Sequence, residues 1–417
     1  MKVLVIGSGV VGVVCAYYLR RDGHDVTVLE RQPAPARETS YANGGQISWG
    51  AAQPWAAPGT FGKAIHWLFR PHSPLIWRPR ADPAMWSWLW QFARQCTAER
   101  FDRHRSRLWR LARLSHDELV GLRHDTGIHY REQTRGTLLL YRSTREFDEA
   151  MAGAGLVQRE GIRCQPLDER GCIAHEPALA RASAKIAGGL LYPDDESGDC
   201  RLFTETLATR LKQDGVTLRF STQVNKLVTE GSRVVRVETD RGTYTADAYV
   251  VAGGSYTPLL LRPLGIRLPV YPLKGYSLTV PITRPEAAPL GSLTDETYKV
   301  VMTRLGDVLR AAGTAELSGY DLSLPRSRLA TIAHAVRTLF PDAGDLSRAE
   351  PWSGLRPMTP DNVPVLGPTP FTNLYLNTGH GSLGWTLACG SGRMLADWLA
   401  GRVPAVEPDG LTLARFT

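Results

Sequence analysis

The sequence of 417 residues lacks several features that mark particular classes of protein. It has no apolar run of about 18 residues, the minimum for a transmembrane helix, so no helix is expected to cross a membrane. Only six cysteines are present and none forms a CxxC pair. We therefore expect reduced, buried thiols, no disulfide and no metal site. No internal repeat or low-complexity segment is evident, and these absences together favour a cytoplasmic globular protein.

Length and composition set further bounds. The first glycine-rich motif begins at residue 7, so we expect no targeting peptide before it. The chain is too long for one ordinary domain, which predicts two. Hydrophobic residues make up 43% and charged residues 22% of the chain, as is typical of a soluble globular protein.

The net charge of +8 is concentrated in residues 61–113, which contain eleven Lys or Arg and three acidic residues. Eight of the eleven tryptophans lie between Trp49 and Trp109. Two interpretations stay open: a solvated basic helical face above a Trp-containing core, or peripheral contact with an anionic membrane surface. We expect no nucleic-acid partner, because no nucleic-acid-binding motif is present.

Residues 3–30 contain the most specific motif. An apolar strand, Val3–Ile6, runs into Gly7-Ser8-Gly9-Val10-Val11-Gly12, followed by a helix over Val13–Arg21 and a second strand over Val26–Leu29. A dinucleotide needs N–H groups at a helix N-terminus and glycines that let the main chain approach its pyrophosphate. The motif therefore predicts a dinucleotide site. Glu30, after the second strand, offers a carboxylate to ribose hydroxyls and would repel an NADP-type phosphate.

The rest of the chain alternates between helical and strand patterns. We predict long helices over 83–125, a helix over 144–160, an antiparallel sheet over 268–350 with one helix at 326–340, and a final helix over 386–400. Strands are predicted at 137–141, 216–220, 223–229, 233–239, 243–251 and 373–377, with a hairpin at Glu230-Gly231-Ser232.

Further glycines follow later strands, at Gly44-Gly45, Gly253-Gly254 and 379–384. The nucleotide fold is therefore predicted to be an α/β Rossmann-like domain that is discontinuous in sequence, with an inserted α+β substrate domain built on an antiparallel sheet. We assign 1–50, 150–170, 198–258 and 350–417 to the cofactor-binding domain. Residues 51–149, 171–197 and 259–349 are assigned to the substrate domain, and ligands are expected where the two meet.

Five runs of sequence carry a resemblance along nearly the whole chain. They are the fingerprint with Glu30, Glu38–Ser48, Asp194–Cys200, Tyr271–Ser277 and Gly354–Asp361. In this order they resemble the FAD-dependent D-amino acid dehydrogenase family, small subunit type. That family is part of the D-amino acid oxidase, glycine oxidase and sarcosine oxidase superfamily.

The resemblance implies a flavoprotein of amino-acid catabolism that oxidises the Cα–N bond of free D-amino acids to give 2-oxo acids and ammonia. Electrons would pass to a quinone or another non-oxygen acceptor, at the inner face of the cytoplasmic membrane. The alternative is an oxygen-using oxidase, or a dehydrogenase, of glycine, sarcosine or a cyclic imino acid such as D-proline or hydroxyproline. FAD is expected to be non-covalent, because no cysteine stands near Met358–Asp361, where sarcosine oxidases attach flavin.

Four residues are candidates for the chemistry. Arg356, held between Gly354 and Pro357, can grip a substrate carboxylate with two hydrogen bonds. Tyr276 could add a hydrogen bond, Lys274 could stabilise the negative charge of reduced flavin, and His380 could hydrogen-bond near the flavin ring. For these three, ordinary structural roles stay open. Some superfamily members carry a second arginine where this chain has Ser382-Leu383, which leaves carboxylate binding to Arg356.

The full set of residues predicted to contact FAD follows from these motifs. It comprises Val3, Gly7, Ser8, Gly9, Val10, Val11, Gly12, Glu30, Arg31, Ser40, Asn43, Gly44, Gly45, Gln46, Val224, Ala252, Gly253, Gly254, Gly354, Arg356, Gly379, His380, Gly381, Ser382, Leu383 and Gly384.

Overall fold

The computed structural model describes residues 1–60, 62 and 73–416. Lys63, Trp67 and Arg70 of the basic, tryptophan-rich segment lie outside the described residues. The described helices are α1 (Val10–Arg21), α2 (Pro83–Gln95), α3 (Ala98–Thr126), α4 (Thr144–Arg159), α5 (Glu169–His175), α6 (Cys200–Gln213), α7 (Thr257–Leu261), α8 (Arg326–Leu339) and α9 (Gly384–Leu399).

The strands are numbered in the same way. They are β1 (Lys2–Ile6), β2 (Asp25–Leu29), β3 (Gln46–Ile47), β4 (Leu75–Trp77), β5 (Thr137–Tyr141), β6 (Gln165–Leu167), β7 (Gly188–Tyr192), β8 (Glu196–Ser197), β9 (Thr217–Arg219), β10 (Val224–Glu230), β11 (Arg233–Thr239), β12 (Gly242–Tyr244), β13 (Ala248–Val251), β14 (Tyr271–Pro281), β15 (Ser292–Asp295), β16 (Val300–Leu305), β17 (Val308–Leu317), β18 (Glu350–Met358), β19 (Val365–Pro368) and β20 (Leu374–Thr378).

A six-stranded sheet carries the amino-terminal motif. Its order is β19-β20-β13-β1-β2-β9, and all neighbouring strands are parallel except β19 and β20. After Lys2, β1 is apolar throughout because both of its faces are covered. Val3 and Val5 pack in the cluster that contains α1, α6 and α9, whereas Leu4 and Ile6 face a second cluster on the other side.

The predicted elements of this sheet are confirmed. β1, α1 and β2 match the predicted strand, helix and strand of the fingerprint, while β20 and α9 match the predicted carboxyl-terminal pair. Strands from the beginning, middle and end of the chain lie side by side, which is the discontinuous arrangement that the glycine positions predicted.

A second sheet of nine strands is largely antiparallel. Its order is β18-β14-β17-β16-β15-β5-β7-β6, and β4 pairs with β17. The β15–β5 and β17–β4 pairs are parallel. Helix α8 lays Ile332, Val336 and Leu339 against one face of this sheet. The predicted antiparallel sheet with a helix at 326–340 is confirmed.

Several details differ from the predictions. The strand expected over 243–251 is two strands in different sheets, β12 and β13. The helical run over 83–125 is broken at Cys96-Thr97, where the Thr97 hydroxyl accepts a hydrogen bond from the N–H of Arg100 and caps α3. Helix α6 was not predicted, although Asp199 caps it.

Two predicted domain segments also differ from the observed sheets. Residues 165–167 and 350–358 were assigned to the cofactor-binding domain, but both form strands of the nine-stranded sheet. Both segments therefore belong to the nine-stranded sheet and not to the sheet that carries the dinucleotide motif. Among the described helices, none is both long and apolar enough to cross a membrane.

Candidate functional site

The described residues enclose a cavity of about 1,720 Å³ between the two sheets. The carboxyl ends of β1, β2 and β13 line one end, and β14, β17 and β18 line the other. Ligands of open α/β sheets bind at the carboxyl ends of the strands. Single small-molecule pockets are typically about 300–1,000 Å³, so this volume has room for a cofactor and a substrate together.

The first turn of the fingerprint is closed by glycines. Gly7 has a φ of +109°, and a Cβ there would lie 2.6 Å from the carbonyl oxygen of Ala252. A Cβ on Gly12 would lie 2.0 Å from the carbonyl oxygen of Gly7. Strand, turn and helix therefore approach closely enough that only glycine fits at these two positions.

The N-terminus of α1 opens onto the cavity. Gly9 is its N-cap residue and supplies no side chain to bond the first N–H groups. Of the N–H groups in the first turn of α1, that of Val10 alone meets a side chain among the described residues, because it donates to Oγ of Ser40 at 3.0 Å. The end of a helix dipole with free N–H groups fits the phosphates of a dinucleotide.

Glu30 is held in a fixed position on the cavity wall. Its Oε2 accepts the N–H of Ser8 at 2.8 Å and the Ser8 hydroxyl at 2.9 Å, while its Oε1 accepts the N–H of Gln32 at 2.8 Å. The carboxylate can therefore present its remaining lone pairs to the hydroxyls of a ribose. Ser8 itself lies behind Glu30 and does not line the cavity.

The loop after β2 is shaped by its own polar groups. The side-chain oxygen of Asn43 accepts the N–H of Gly45 at 3.0 Å, and Gly45 has a φ of +74°. The carbonyl of Gly44 accepts the Thr303 hydroxyl at 2.7 Å, which ties this loop to β16. The run Asp194–Cys200 contains β8, and β8 pairs with β3 at the end of this loop.

The glycine turn before α9 forms another wall. Gly379 and Gly381 have φ values of +77° and +55°. The N–H of Gly381 donates to the carbonyl of Pro357 at 3.0 Å, so the turn is fixed beside the end of β18. Residues 380–384 line the cavity, whereas Gly379 does not.

Arg356 lies on β18 and lines the end of the cavity formed by β14, β17 and β18. Its Nη1 donates to the carbonyl of Thr314 at 3.2 Å, and no acidic side chain among the described residues lies within ion-pair distance. Burial lowers the pKa of Arg356 to about 10, so the guanidinium remains a cation at neutral pH. Arg356 is half-buried and open to the cavity, and a cation in such a place without an acidic partner among the described residues is a site for an anionic ligand.

The backbone around Arg356 is adapted to it. A Cβ on Gly275 would lie 2.4 Å from Cζ of Arg356, so the guanidinium rests directly on the main chain of β14. Thr314 is the extra residue of a β-bulge opposite Gly275-Tyr276 and has a φ of +51°. The bulge re-aims its carbonyl toward the guanidinium, which is a common use of such bulges near functional sites.

Tyr276 lines the cavity, but its hydroxyl is engaged. It donates to Oε2 of Glu316 at 2.7 Å, and burial together with this carboxylate raises the pKa of Tyr276. The nearby Tyr271 donates to Asp82 at 2.6 Å. Neither hydroxyl is free for a substrate carboxylate, so the hydrogen-bonding role suggested for Tyr276 does not match the structure.

Lys274 is not brought to the cavity. Its Nζ donates to Asp321 at 2.5 Å and lies 3.4 Å from Glu316, and its side chain is fully buried. The alternation of β14 directs this ammonium away from Arg356, to the opposite face of the sheet. Lys274 is not among the residues that line the cavity, so the geometry gives no support to its suggested flavin-stabilising role, which stays an untested prediction. Lys274 belongs to a buried charge cluster.

Most of the remaining predicted residues meet at the cavity. The residues that line it are Gly7, Gly9, Val10, Val11, Glu30, Arg31, Ser40, Asn43, Gly44, Gly45, Gln46, Val224, Ala252, Gly253, Gly254, Gly354, Arg356, His380, Gly381, Ser382, Leu383 and Gly384. Val3, Ser8, Gly12 and Gly379 do not line it. Their direct contact with FAD is therefore not supported, and contact by the lining residues remains a prediction.

Four of the lining residues that sequence reasoning missed are Trp55, Thr314, Trp352 and Asn377. The Trp55 ring lies 5.9 Å from Cζ of Arg356, Thr314 accepts a hydrogen bond from Arg356, and Trp352 lies on the same strand as Arg356. Asn377 is the next-to-last residue of β20, and its amide has no hydrogen-bond partner among the described residues. A polar residue at the carboxyl end of an apolar strand is a signal that could have revealed Asn377. The other three depend on long-range packing.

Comparison with known proteins agrees with this geometry. The family model described as "FAD dependent oxidoreductase" (DAO) matches residues 2–398. A protein named D-amino acid dehydrogenase from Rhizorhabdus wittichii is 52% identical over 416 residues, covering 100% of both chains. One of the same name from Agrobacterium fabrum is 50% identical over 416 residues, again covering 100% of both.

A solved structure supports the fold independently. Glycine oxidase from Geobacillus kaustophilus superposes with a TM-score of 0.77 at 22% identity, covering 99% of both chains. The glycine turns, the free helix N-terminus and the unpaired amide of Asn377 suit an FAD site. This chain therefore belongs to the FAD dependent oxidoreductase family and is an FAD-dependent oxidoreductase.

Proposed function

We propose that this protein oxidises free D-amino acids to 2-oxo acids and ammonia with FAD, as a D-amino acid dehydrogenase. The observation that carries the proposal is the guanidinium of Arg356, which has no acidic partner among the described residues and lines the same cavity as the dinucleotide motif. The full-length relatives named D-amino acid dehydrogenase support the choice of substrate class.

Arg356 would bind the substrate carboxylate. Its planar N–H groups match the two carboxylate oxygens, and the fixed contact with Thr314 limits the positions that the guanidinium can adopt. Anchoring the carboxylate orients the Cα–H bond. Bound FAD would supply the acceptor for the hydride of this bond, and the resulting imino acid would react with water to give the 2-oxo acid and ammonia.

The chain offers several holding points for FAD. Backbone N–H groups at the start of α1 suit the pyrophosphate, and Glu30 suits the ribose. None of the six cysteines lines the cavity, which supports non-covalent binding.

The substrate is tested by anaerobic reduction of the bound flavin with D- and L-amino acids, glycine, sarcosine and D-proline. We expect reduction by D-amino acids and release of the matching 2-oxo acid. Selective reduction by glycine, sarcosine or D-proline would instead favour the alternative substrate class and contradict the proposal.

We further propose a quinone, or another carrier that is not oxygen, as electron acceptor. Turnover with a soluble quinone analogue should exceed turnover with oxygen, measured as peroxide. Peroxide formation at the full rate of substrate consumption would contradict this and identify an oxidase.

Within the basic, tryptophan-rich segment, the residues that the structure describes differ in their surroundings. Arg105 is buried beside Trp109, its guanidinium 5.0 Å from the ring centroid, as expected for a structural role. On α2, however, Trp86 and Trp90 are 47% and 61% exposed, and Arg94 lies over the ring of Trp90. We propose peripheral contact with an anionic membrane surface through this face of α2.

Vesicle co-sedimentation tests the membrane contact. The protein should bind vesicles with anionic lipid at low salt, bind neutral vesicles weakly, and dissociate as salt rises. A variant with Trp86→Ser and Trp90→Ser should bind less. Absence of binding even at low salt would remove the proposal.

A further inference from the structure

His380 has a defined hydrogen-bonding pattern on one side. It is 3% exposed, and its Nε2 lies 2.9 Å from the hydroxyl oxygen of Ser391. The same hydroxyl lies 2.6 Å from the carbonyl oxygen of Leu387, one turn earlier in α9. A carbonyl oxygen can only accept, and a serine hydroxyl has only one hydrogen to donate.

The single hydroxyl hydrogen therefore identifies the imidazole tautomer. If Ser391 donates to Leu387, its oxygen can only accept from His380, so Nε2 must carry a hydrogen. The opposite assignment would place two lone pairs against each other at 2.6 Å. Burial lowers the pKa of His380 to about 3, so the ring is neutral at physiological pH and Nδ1 carries a lone pair.

Nδ1 is the nitrogen left for the cavity. Ser391 is the hydrogen-bond partner of His380 among the described side chains, and it occupies Nε2. His380 lines the cavity and forms a β-bridge with Met358, two residues beyond Arg356. The acceptor therefore lies on a residue that is bridged to β18, the strand that carries Arg356.

We infer that Ser391 is a positioning residue that fixes His380 as the neutral Nε2–H tautomer, so that Nδ1 accepts a hydrogen bond from an N–H or O–H group of bound FAD. This inference rests on the FAD site of the proposed function. A lone pair at Nδ1 also repels carboxylate oxygens, so the substrate carboxylate is left to Arg356.

The tautomer can be measured directly in the holoenzyme. Long-range ¹H–¹⁵N correlation spectra of protein labelled with ¹⁵N-histidine distinguish Nε2–H, Nδ1–H and cationic rings, and comparison with His380→Gln assigns the signal. The expected pattern is Nε2–H across the neutral range. An Nδ1–H or cationic His380 at neutral pH would overturn the inference, and this readout requires no substrate or turnover.

Ser391→Ala tests the positioning role. Without the hydroxyl, the ring should populate the Nδ1–H form, and the Kd for FAD should rise about three- to tenfold, the range that one hydrogen bond accounts for. Ser115→Ala is the matched control, because Ser115 packs on the same helix at Gly390 without touching His380. Retention of the Nε2–H pattern and unchanged FAD affinity in Ser391→Ala would refute the role.

Discussion

Replacing Arg356 with lysine tests the proposed carboxylate anchor. A guanidinium has five N–H groups, and the structure gives it one acceptor within the described residues, the carbonyl of Thr314. The other four are free for a substrate. Lysine keeps the positive charge but offers a single ammonium centre, which cannot make two parallel hydrogen bonds to a carboxylate.

The size of the effect follows from this loss. A hydrogen bond to a charged group contributes about 1.5–3 kcal/mol. Losing one of two such bonds should therefore lower kcat/KM by about 10- to 150-fold. Because the carboxylate is bound in both the ground state and the transition state, most of the change should appear in KM.

Steady-state kinetics with a D-amino acid and an artificial acceptor measure this effect. Arg304→Lys is the matched control, because Arg304 lies on β16 outside the cavity and donates to the backbone carbonyls of Gly306 and Pro285. The FAD spectrum should be unchanged in both variants. A kcat/KM for Arg356→Lys within twofold of the parent would refute the anchor.

Further predictions concern the surroundings of the anchor. Gly275→Ala should displace the Arg356 guanidinium and raise KM about tenfold or more, because its Cβ would lie 2.4 Å from Cζ. Tyr276→Phe should lower the free energy of unfolding by about 1–2 kcal/mol with little change in KM, because its hydroxyl bonds Glu316. Acid should destabilise the protein through His380: below its ordinary pKa of 6.5 and above about 3, the folded state binds fewer protons than the unfolded state. Stability then falls by about 1.4 kcal/mol per pH unit, as urea unfolding from pH 7 to 4 would show. FAD should be released into solution on heat or acid denaturation.

Each of these predictions has a control or a contradicting result. Gly121→Ala on α3, where a Cβ meets nothing within 4 Å, controls for the glycine substitution and should leave KM unchanged. A large change of KM in Tyr276→Phe would indicate that the Tyr276 hydroxyl binds the substrate. If the His380→Gln variant lost stability in acid as much as the parent protein does, His380 would not be the cause of the acid instability. Flavin colour that stays with the denatured chain would indicate covalent attachment.

The sequence predicted the parts of the site that depend on local pattern. Gly7, Gly9 and Gly12 have a fixed spacing between an apolar strand and a helix, and the structure confirms that turn. Arg356 was found because Gly354 and Pro357 give it a rigid context. In both cases a few neighbouring residues carry the signal.

Long-range packing determined the rest. The β-bulge at Thr314 depends on the register between β14 and β17, which no local pattern specifies. Lys274 and Tyr276 share a face of β14, as the alternation of the strand predicts: the Lys274 Nζ lies 5.3 Å from the centroid of the Tyr276 ring, and both side chains contact Glu316. The acidic partners of Lys274 come from β17 and from the loop after it, so no pattern within β14 could reveal them.

Anaerobic mixing of the holoenzyme with three related compounds tests the central claim most directly. The compounds are a D-amino acid, its L enantiomer and the matching amine without a carboxylate, and the signal is loss of the visible flavin absorbance. We predict rapid bleaching by the D-amino acid alone, and a higher half-saturating concentration in Arg356→Lys. Equal bleaching by the L enantiomer or by the amine would contradict a D-amino acid dehydrogenase anchored at Arg356.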